Sequence, residues 1–234
     1  MTAGGFTRSL ALALTAIVAN VAIVAIWIGP AHADAPPDTL ISGEPARGGA
    51  IDQVFKLLEL KRLGCKFTEE KRVALLARPL KSTGTIYFDR DKGIARTTLT
   101  PKVQHVVLTK TTLRIKTVKK TEEIPLDKSK DLKAFALIFP SVLRGDRAEL
   151  ERSFSIGLYG SEKDWWALAF TPKTDSLKKL IKRVIVFGKK TDVVSLQIVE
   201  ASGDTTATQL TDILKNADVP DAEIAEAFGA AGAK

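Results

Sequence analysis

Large and small apolar side chains alternate along Trp166-Ala167-Leu168-Ala169-Phe170-Thr171-Pro172. The three large side chains would share one face of an extended strand, because successive side chains of a strand point to opposite sides. The stretch therefore predicts a strand whose bulky face is turned towards a core. In the later stretches 184–187 and 193–199 both faces carry apolar residues, which predicts that a helix or a tail covers part of the outer surface.

Short segments rich in Thr, Val, Ile and Phe recur from Cys65 onwards, at the spacing of an antiparallel sandwich or barrel. Predicted strands lie near 65–77, 82–89, 93–99, 103–109, 112–118, 121–125, 153–160, 164–171, 181–188, 191–201 and 204–211. Amphipathic helices are predicted over 51–63 and 130–144, and a short terminal helix over 221–228. This order predicts one α+β domain, mainly β, with either a packed core or a barrel wide enough for a small ligand.

The composition excludes several classes of protein. The 234 residues include 35 Lys and Arg, 27 Asp and Glu, two His and one Cys, with a formal net charge of +8. A single Cys cannot form an internal disulfide framework or a Cys-rich zinc site. The positive charge would suit nucleic acid, but aromatic residues are only 6% of the chain, which is unfavourable for base stacking. We therefore expect no nucleic-acid partner, no metal site and no cofactor.

The N-terminal segment has the pattern of an export signal. An apolar run over 10–28 is followed by the helix-breaking pair Gly29-Pro30 and the small-x-small triplet Ala31-His32-Ala33. We predict a cleavable signal peptide over 1–33 and hence a periplasmic protein. An uncleaved membrane anchor is the alternative, because the run is long enough to span a bilayer. Residues 34–50 are rich in Pro and Gly, and we predict a flexible linker there.

We find no catalytic motif in the sequence. It lacks a Gly-x-Ser-x-Gly elbow, a His-Glu-x-x-His pair, a Cys-x-x-Cys pair and a Gly-rich phosphate loop. The neighbouring carboxylates of Glu69-Glu70 and Glu122-Glu123 would alternate across strands, so at most one of each pair faces inwards. We expect no catalytic residues, with a hydrolase that uses distant Asp and Glu as the alternative.

The stretch 173–190 is strongly basic, with seven Lys or Arg residues against one Asp. Lysines on a solvated strand edge protect a sheet from aggregation, and this role explains the stretch. Attraction to anionic lipid head groups or to an acidic partner protein is the alternative.

Several short motifs have the order and spacing found in a family of periplasmic carriers. They are Phe67-Thr68-Glu69, the stretch 79–88, the stretch 135–146, the stretch 166–172 and the closing stretch 200–206. Each motif is weak alone, but together they cover about residues 51–213. The sequence therefore resembles the outer-membrane lipoprotein carriers, the LolA-like family, and in particular its divergent LolA-related branch.

The resemblance implies an incomplete antiparallel β-barrel of about 11 strands, with helices forming a lid over a hydrophobic cavity that receives acyl chains. It implies a carrier domain over 51–214 and a C-terminal tail over 215–234. The implied protein is a monomer without enzymatic activity that carries a lipoprotein or lipid from an inner-membrane donor transporter to an outer-membrane acceptor. A carrier of glycolipid or pigment-type lipid, and a β-rich periplasmic adaptor without lipid cargo, are the alternatives.

Strand alternation, the two helices and the resemblance together give candidate site residues. Candidate cavity residues are Phe88, Leu108, Ile115, Trp166, Leu168, Phe170, Val186 and Ile198. Candidate lid residues are Phe55, Leu58, Phe135 and Phe139. In the family an arginine of an Arg-Pro pair holds the lid closed; Arg90 matches it although Asp91 replaces the proline, and Arg96 is a second candidate. Thr97 or Thr98 stands where the family usually has an aromatic residue, which predicts a smaller or more polar cavity.

Overall fold

The computed structural model describes residues 36, 40–46, 49–160 and 164–230. The predicted signal peptide over 1–33 lies outside the described residues, as do parts of the predicted linker and the C-terminal tail. No helix within the described ranges is long and apolar enough to cross a bilayer. In the same ranges, no group of three or more His, Cys, Asp and Glu side chains is placed to hold a metal ion.

Antiparallel strands form a single sheet of eleven strands in the described part of the chain. They are β1 (Arg62–Arg72), β2 (Leu80–Asp89), β3 (Gly93–Thr100), β4 (Gln104–Leu108), β5 (Thr112–Thr117), β6 (Thr121–Pro125), β7 (Phe154–Tyr159), β8 (Trp165–Pro172), β9 (Ile181–Lys189), β10 (Asp192–Glu200) and β11 (Thr205–Lys215). Their order in the sheet is β6-β5-β4-β3-β2-β1-β11-β10-β9-β8-β7. Because β6 and β7 are the two edges of this sheet, the barrel is unclosed, as the family resemblance implied.

Short helices lie before the sheet, between β6 and β7, between β8 and β9, and after β11. They are α1 (Gly49–Leu57), α2 (Lys130–Ala136), α3 (Ile138–Arg144), α4 (Arg147–Glu151), α5 (Asp175–Lys178) and α6 (Asp221–Gly229). Single 3-10 turns at Leu126–Lys128 and Asn216–Asp218 precede α2 and α6. We refer to α2 and α3 as the lid helices.

The first and last strands join two meanders at the centre of the sheet. β1 pairs with β2 on one side and with β11 on the other. Strands β2 to β6 then follow one another on the first side, and β10 to β7 on the second. Phe67 of β1 lies opposite Gly84 of β2 and Leu210 of β11. Residues from distant parts of the chain therefore meet on the inner face at this centre.

The inner face of the sheet carries the main apolar core. Phe67, Phe88, Phe154 and Phe170 are among the largest fully buried side chains, and they belong to one cluster with apolar residues of all four helices α1 to α4. Phe154 and Phe170 meet edge to face with ring centroids 6.4 Å apart, a geometry that adds about 1 kcal/mol beyond the buried area.

Two other segments cover apolar parts of the outer face. Leu40, inside the predicted linker, is buried in a cluster with Trp165 and Ile185. On the other half of the sheet, Ala227 of α6 packs with Ala95 of β3. The segment with Leu40 covers the outer face of β9, one of the strands for which a covering element was predicted, whereas the α6 cover over β3 was not predicted.

Helix boundaries differ from those predicted. The predicted helix over 51–63 ends at Leu57, and the predicted helix over 130–144 is divided at Leu137. Pro140 explains the division, because proline lacks an N–H group and clashes inside a helix but is tolerated in the first turn. A new helix therefore begins just before it. The helices α4 and α5 have five and four residues, which is too short for a periodic apolar pattern.

Candidate ligand-binding cavity

An apolar cavity of about 140 Å³ lies between the inner face of the sheet and the lid helices. The sheet contributes apolar side chains from β2, β3, β4, β5, β9 and β10. The lid helices contribute Phe135, Ile138, Phe139 and Pro140. Glu69, Arg96 and Thr208 also line the cavity and are called the polar cluster below.

Local sequence signals place the first lid helix over the cavity. Ser129 caps α2, since its side-chain oxygen accepts a hydrogen bond from the backbone N–H of Leu132 at 3.2 Å. From that start, Leu132, Phe135 and Ala136 fall on one helix face and are buried. The cap and the helical spacing together direct Phe135 towards the sheet.

The size of the cavity limits what it holds in this arrangement. An apolar protein cavity of about 150 Å³ is large enough to bind benzene. The volume of about 140 Å³ here is therefore sufficient for a short part of an acyl chain. A longer acyl chain exceeds this volume unless the lid helices move away from the sheet.

Arg90 connects the end of β2 to the lid. Its Nε donates a hydrogen bond to the carbonyl oxygen of Leu60 at 3.1 Å, and its Nη2 donates one to the carbonyl oxygen of Arg144 at 3.2 Å. The backbone N–H of Leu60 in turn donates to the carbonyl oxygen of Leu143 at 2.9 Å. Because the last carbonyls of a helix have no partner within it, Arg90 supplies a donor that the end of α3 needs. We call this junction the lid seam.

Gly145 allows the lid seam to close tightly. It ends α3 with φ at +72°, a left-handed conformation that favours glycine. A Cβ atom at this position would lie 2.9 Å from the carbonyl oxygen of Phe55. Backbone conformation and close approach therefore both require glycine here. Burial lowers the pKa of the adjacent Arg144; the charge of Asp146 opposes this shift and that of Arg90 adds to it.

The polar cluster contains a buried ion pair within the apolar wall. Arg96 Nη2 donates to Glu69 Oε1 at 2.8 Å, and the Thr208 hydroxyl donates to Glu69 Oε2 at 2.9 Å. The side chains of Glu69 and Arg96 are 6% and 17% exposed. The guanidinium lies 4.2 Å from the ring centroid of Phe67. The Phe67 ring also lies over Gly84, and a Cβ atom at residue 84 would be only 2.8 Å from that ring. Glycine at residue 84 therefore leaves room for the Phe67 ring on which the Arg96 guanidinium stacks.

The structure divides the predicted site residues into two groups. Leu108 and Ile198 line the cavity, as do the predicted lid residues Phe135 and Phe139. The other predicted cavity and lid residues are packed in core clusters: Phe88, Trp166, Leu168, Phe170, Val186, Phe55 and Leu58 in the main cluster and Ile115 in a second one. Of the two arginines, Arg90 contacts the lid seam, whereas Arg96 pairs with Glu69 in the cavity wall.

Sequence reasoning missed Glu69 and Thr208 as cavity residues. The alternation along β1 contained the signal, because Glu69 has the same parity as the buried Phe67 and so shares its face. Thr208 could not be found in this way, since its place depends on the pairing of β1 with β11. In that register Thr208 lies directly opposite Glu69.

The chain is similar to several solved structures and to one family model. Curated proteins show no significant match to the chain. Among solved structures, the chain is similar to a LolA superfamily protein from Nitrosomonas europaea (12% identity, 76% of this chain and 96% of that chain, TM-score 0.40). It is also similar to the MucA/MucB complex structure from Pseudomonas aeruginosa (12% identity, 75% of this chain and 60% of that chain, TM-score 0.45). A third similar structure is LprF from Mycobacterium bovis (12% identity, 76% of this chain and 97% of that chain, TM-score 0.32).

The family model described as outer membrane lipoprotein carrier protein LolA-like matches residues 45–231. This match spans every strand of the sheet, the lid helices and α6. The chain therefore belongs to the LolA-like outer membrane lipoprotein carrier protein family.

Proposed function

We propose that the protein is a carrier without enzymatic activity that binds the acyl chains of a lipoprotein or another lipid in the apolar cavity. The observation that carries this proposal is the cavity itself, with apolar walls from six strands and two helices. Each methylene group moved from water into such a space contributes about 0.8 kcal/mol. The family of the chain supports the same function.

Reversible loading is supported by the way the lid is built. Each lid helix has seven residues, too few for a stable helix in isolation, so packing on the sheet holds them in place. The two hydrogen bonds from Arg90 add a fixed point at the lid seam, and a charged donor contributes about 1.5–3 kcal/mol to such a bond. An entering acyl chain can offset a cost of this size with a few buried methylene groups.

The proposed route begins at the inner membrane and ends at the outer membrane. The predicted export signal over 1–33 supports a periplasmic location. We propose an inner-membrane transporter as donor and an outer-membrane protein as acceptor, with the carrier moving between them as a monomer. An acceptor that binds the lid helices would separate them from the sheet and release the acyl chain.

Extraction of bound lipid from the purified protein tests this proposal. The full chain is expressed in a Gram-negative host, purified from the periplasm, and extracted with organic solvent for mass spectrometry. We expect acyl lipid in about equimolar amount with the wild type, and much less with Ile198→Trp, which fills the cavity. Leu214→Trp, at an exposed position of β11, is the matched control and should retain lipid. Equal lipid in both variants, or no lipid in the wild type, would contradict the proposal.

A further inference from the structure

We propose that the polar cluster of Glu69, Arg96 and Thr208 binds an uncharged, hydroxyl-bearing head group of an acyl lipid. The acyl tail would lie against Phe135 and Phe139 of the lid helices. This inference rests on the proposed function, because it specifies the class of lipid for the same cavity. Apolar pockets commonly use a small number of placed polar groups to orient a ligand.

The inner face changes from apolar to polar along β1. Leu63, Cys65 and Phe67 are buried and are followed on the same face by Glu69 and Lys71. The lid seam adjoins the apolar end, since the backbone N–H of residue 90 bonds to the carbonyl of residue 61, just before β1. Leu63, Cys65 and Phe67 are packed in the main core, whereas Glu69 lines the cavity together with Phe135 and Phe139. A lipid in the cavity with its head at the polar cluster therefore has its tail against the lid helices.

The ion pair is difficult to explain as a contribution to stability alone. Burying two charges costs several kcal/mol per ion, and apolar residues of similar size are often as stable. Glu69 has partners on both oxygens, because the Ser82 hydroxyl also donates to Oε1, at 3.2 Å. The cavity wall thus holds a fixed pair of opposite charges where a purely apolar cargo would need none.

The charge balance of the site favours an uncharged head group. A ligand carboxylate or phosphate near Arg96 would also lie close to Glu69, and repulsion is strong in a space of low dielectric constant. A hydroxyl group can accept a hydrogen bond from a guanidinium and donate one to a carboxylate without adding charge. The next pair along the strand, Lys71 with Glu200 at 2.7 Å, is neutral as a whole and does not change this balance.

Three lipids with the same acyl chain separate these possibilities. Monopalmitoylglycerol has hydroxyl groups, methyl palmitate has none, and palmitate carries a charge. We expect the delipidated full chain to bind monopalmitoylglycerol at least about tenfold more tightly than either of the others, a difference of about 1.4 kcal/mol. An apolar cavity without a head-group site would instead prefer methyl palmitate, the least polar of the three.

Two variants locate the preference at the polar cluster. Thr208→Val keeps the shape of the side chain and removes the hydroxyl. The preference for monopalmitoylglycerol over methyl palmitate should therefore fall about threefold or more. Glu69→Gln removes the negative charge, so palmitate binding should increase relative to the wild type. Thr171→Val and Glu123→Gln are the matched controls, because they alter exposed residues of the same types. Both should keep the wild-type ratios of affinity for the three lipids. Melting temperatures confirm that each variant is folded, and Thr208→Val alone is sufficient if Glu69→Gln does not fold.

The outcomes distinguish this inference from the proposed function. Equal affinities for the three lipids, or unchanged ratios in folded Thr208→Val, would overturn the head-group site and leave acyl-chain binding in place. Failure of the wild type to bind any of the three lipids would contradict the proposed function itself.

Discussion

The Nη2 atom of Arg90 lies 3.2 Å from the carbonyl oxygen of Arg144, the last residue of the second lid helix. The same guanidinium donates to the carbonyl oxygen of Leu60, which follows α1. One side chain thus satisfies carbonyl groups from two separate segments of the chain. The lid helices are held at this junction by hydrogen bonds to a charged donor, in addition to their packing on the sheet.

Arg90→Met should loosen the lid. The variant keeps an unbranched apolar side chain but leaves two carbonyl groups without their donor, so we expect the free energy of unfolding to fall by about 1–3 kcal/mol. Release of a bound fluorescent fatty acid should become faster, because closure of the lid loses its fixed point. Stopped-flow measurement of the release rate, with hydrogen exchange of the amides in 138–144, checks both effects.

Arg152→Met is the control for that variant. Arg152 forms an ion pair with Glu149 on the surface, where its side chain is 74% exposed, and such pairs contribute little. We expect a release rate and an unfolding free energy close to those of the wild type. Equal release rates for Arg90→Met and the control would show that Arg90 does not hold the lid.

Phe139→Ala should weaken ligand binding more than an equivalent loss of apolar area elsewhere. Phe139 lines the cavity from the lid, so its removal weakens both the lid packing and the contact with an acyl chain. Phe228→Ala is the matched control, because Phe228 is a partly buried phenylalanine of α6 on the outer face. Isothermal titration with an acyl lipid should show weaker binding only for Phe139→Ala. Similar weakening in both variants would indicate a general loss of stability.

The fold class was predictable because alternation is a local property of each strand. The stretch 166–170 identifies its inner face from the sequence alone, and Trp166, Leu168 and Phe170 are all buried there. The division of the predicted helix over 130–144 at Leu137 was harder to predict, because its apolar residues form one continuous helical stripe. Pro140 alone favours a break there. The position of Leu40 against the outer face also depends on contacts between distant residues.

The cavity was only partly predictable because periodicity does not show where side chains meet. Leu168 and Ile198 both face inwards, yet the first is covered by the packed core and the second remains in the cavity wall. The difference depends on which strand the lid helices cover, and that depends on the complete topology. The Glu69/Arg96 pair needs the registers of three strands, β1, β2 and β3, before the two residues can be brought together.

Gly145→Ala should destabilise the lid seam more than glycine replacement at an open turn. Gly145 has φ at +72° and is in close contact with the carbonyl oxygen of Phe55, whereas Gly203 has φ at +95° and open space within 4 Å of where a Cβ atom would stand. Gly203→Ala therefore measures the backbone cost alone, about 1 kcal/mol. Chemical unfolding should give a larger loss for Gly145→Ala, with the excess due to the steric clash. Equal losses would mean that the seam readily moves apart.

Alkaline pH should loosen the outer helix through Tyr87. Burial raises the pKa of Tyr87, and the Glu223 carboxylate of α6, which accepts the phenol hydrogen bond at 2.6 Å, acts in the same direction. Together they bring the pKa from 10.0 to about 12. The folded state therefore holds the phenol proton of Tyr87 more tightly than the unfolded state does. The resulting contribution to the free energy of unfolding is complete below pH 10 and is lost as the pH rises towards 12.

The Tyr87→Phe variant isolates that contribution. Burial also raises the pKa of Cys65, from 9.0 to about 12, so both proteins are compared in a Cys65→Ala background. Tyr87→Phe loses the hydrogen bond to Glu223 at every pH, but its free energy of unfolding should decline less steeply above pH 10. Urea unfolding followed by tryptophan fluorescence at a series of alkaline pH values checks the slopes. Parallel curves for the two proteins would show that the Tyr87 hydroxyl does not link α6 docking to pH.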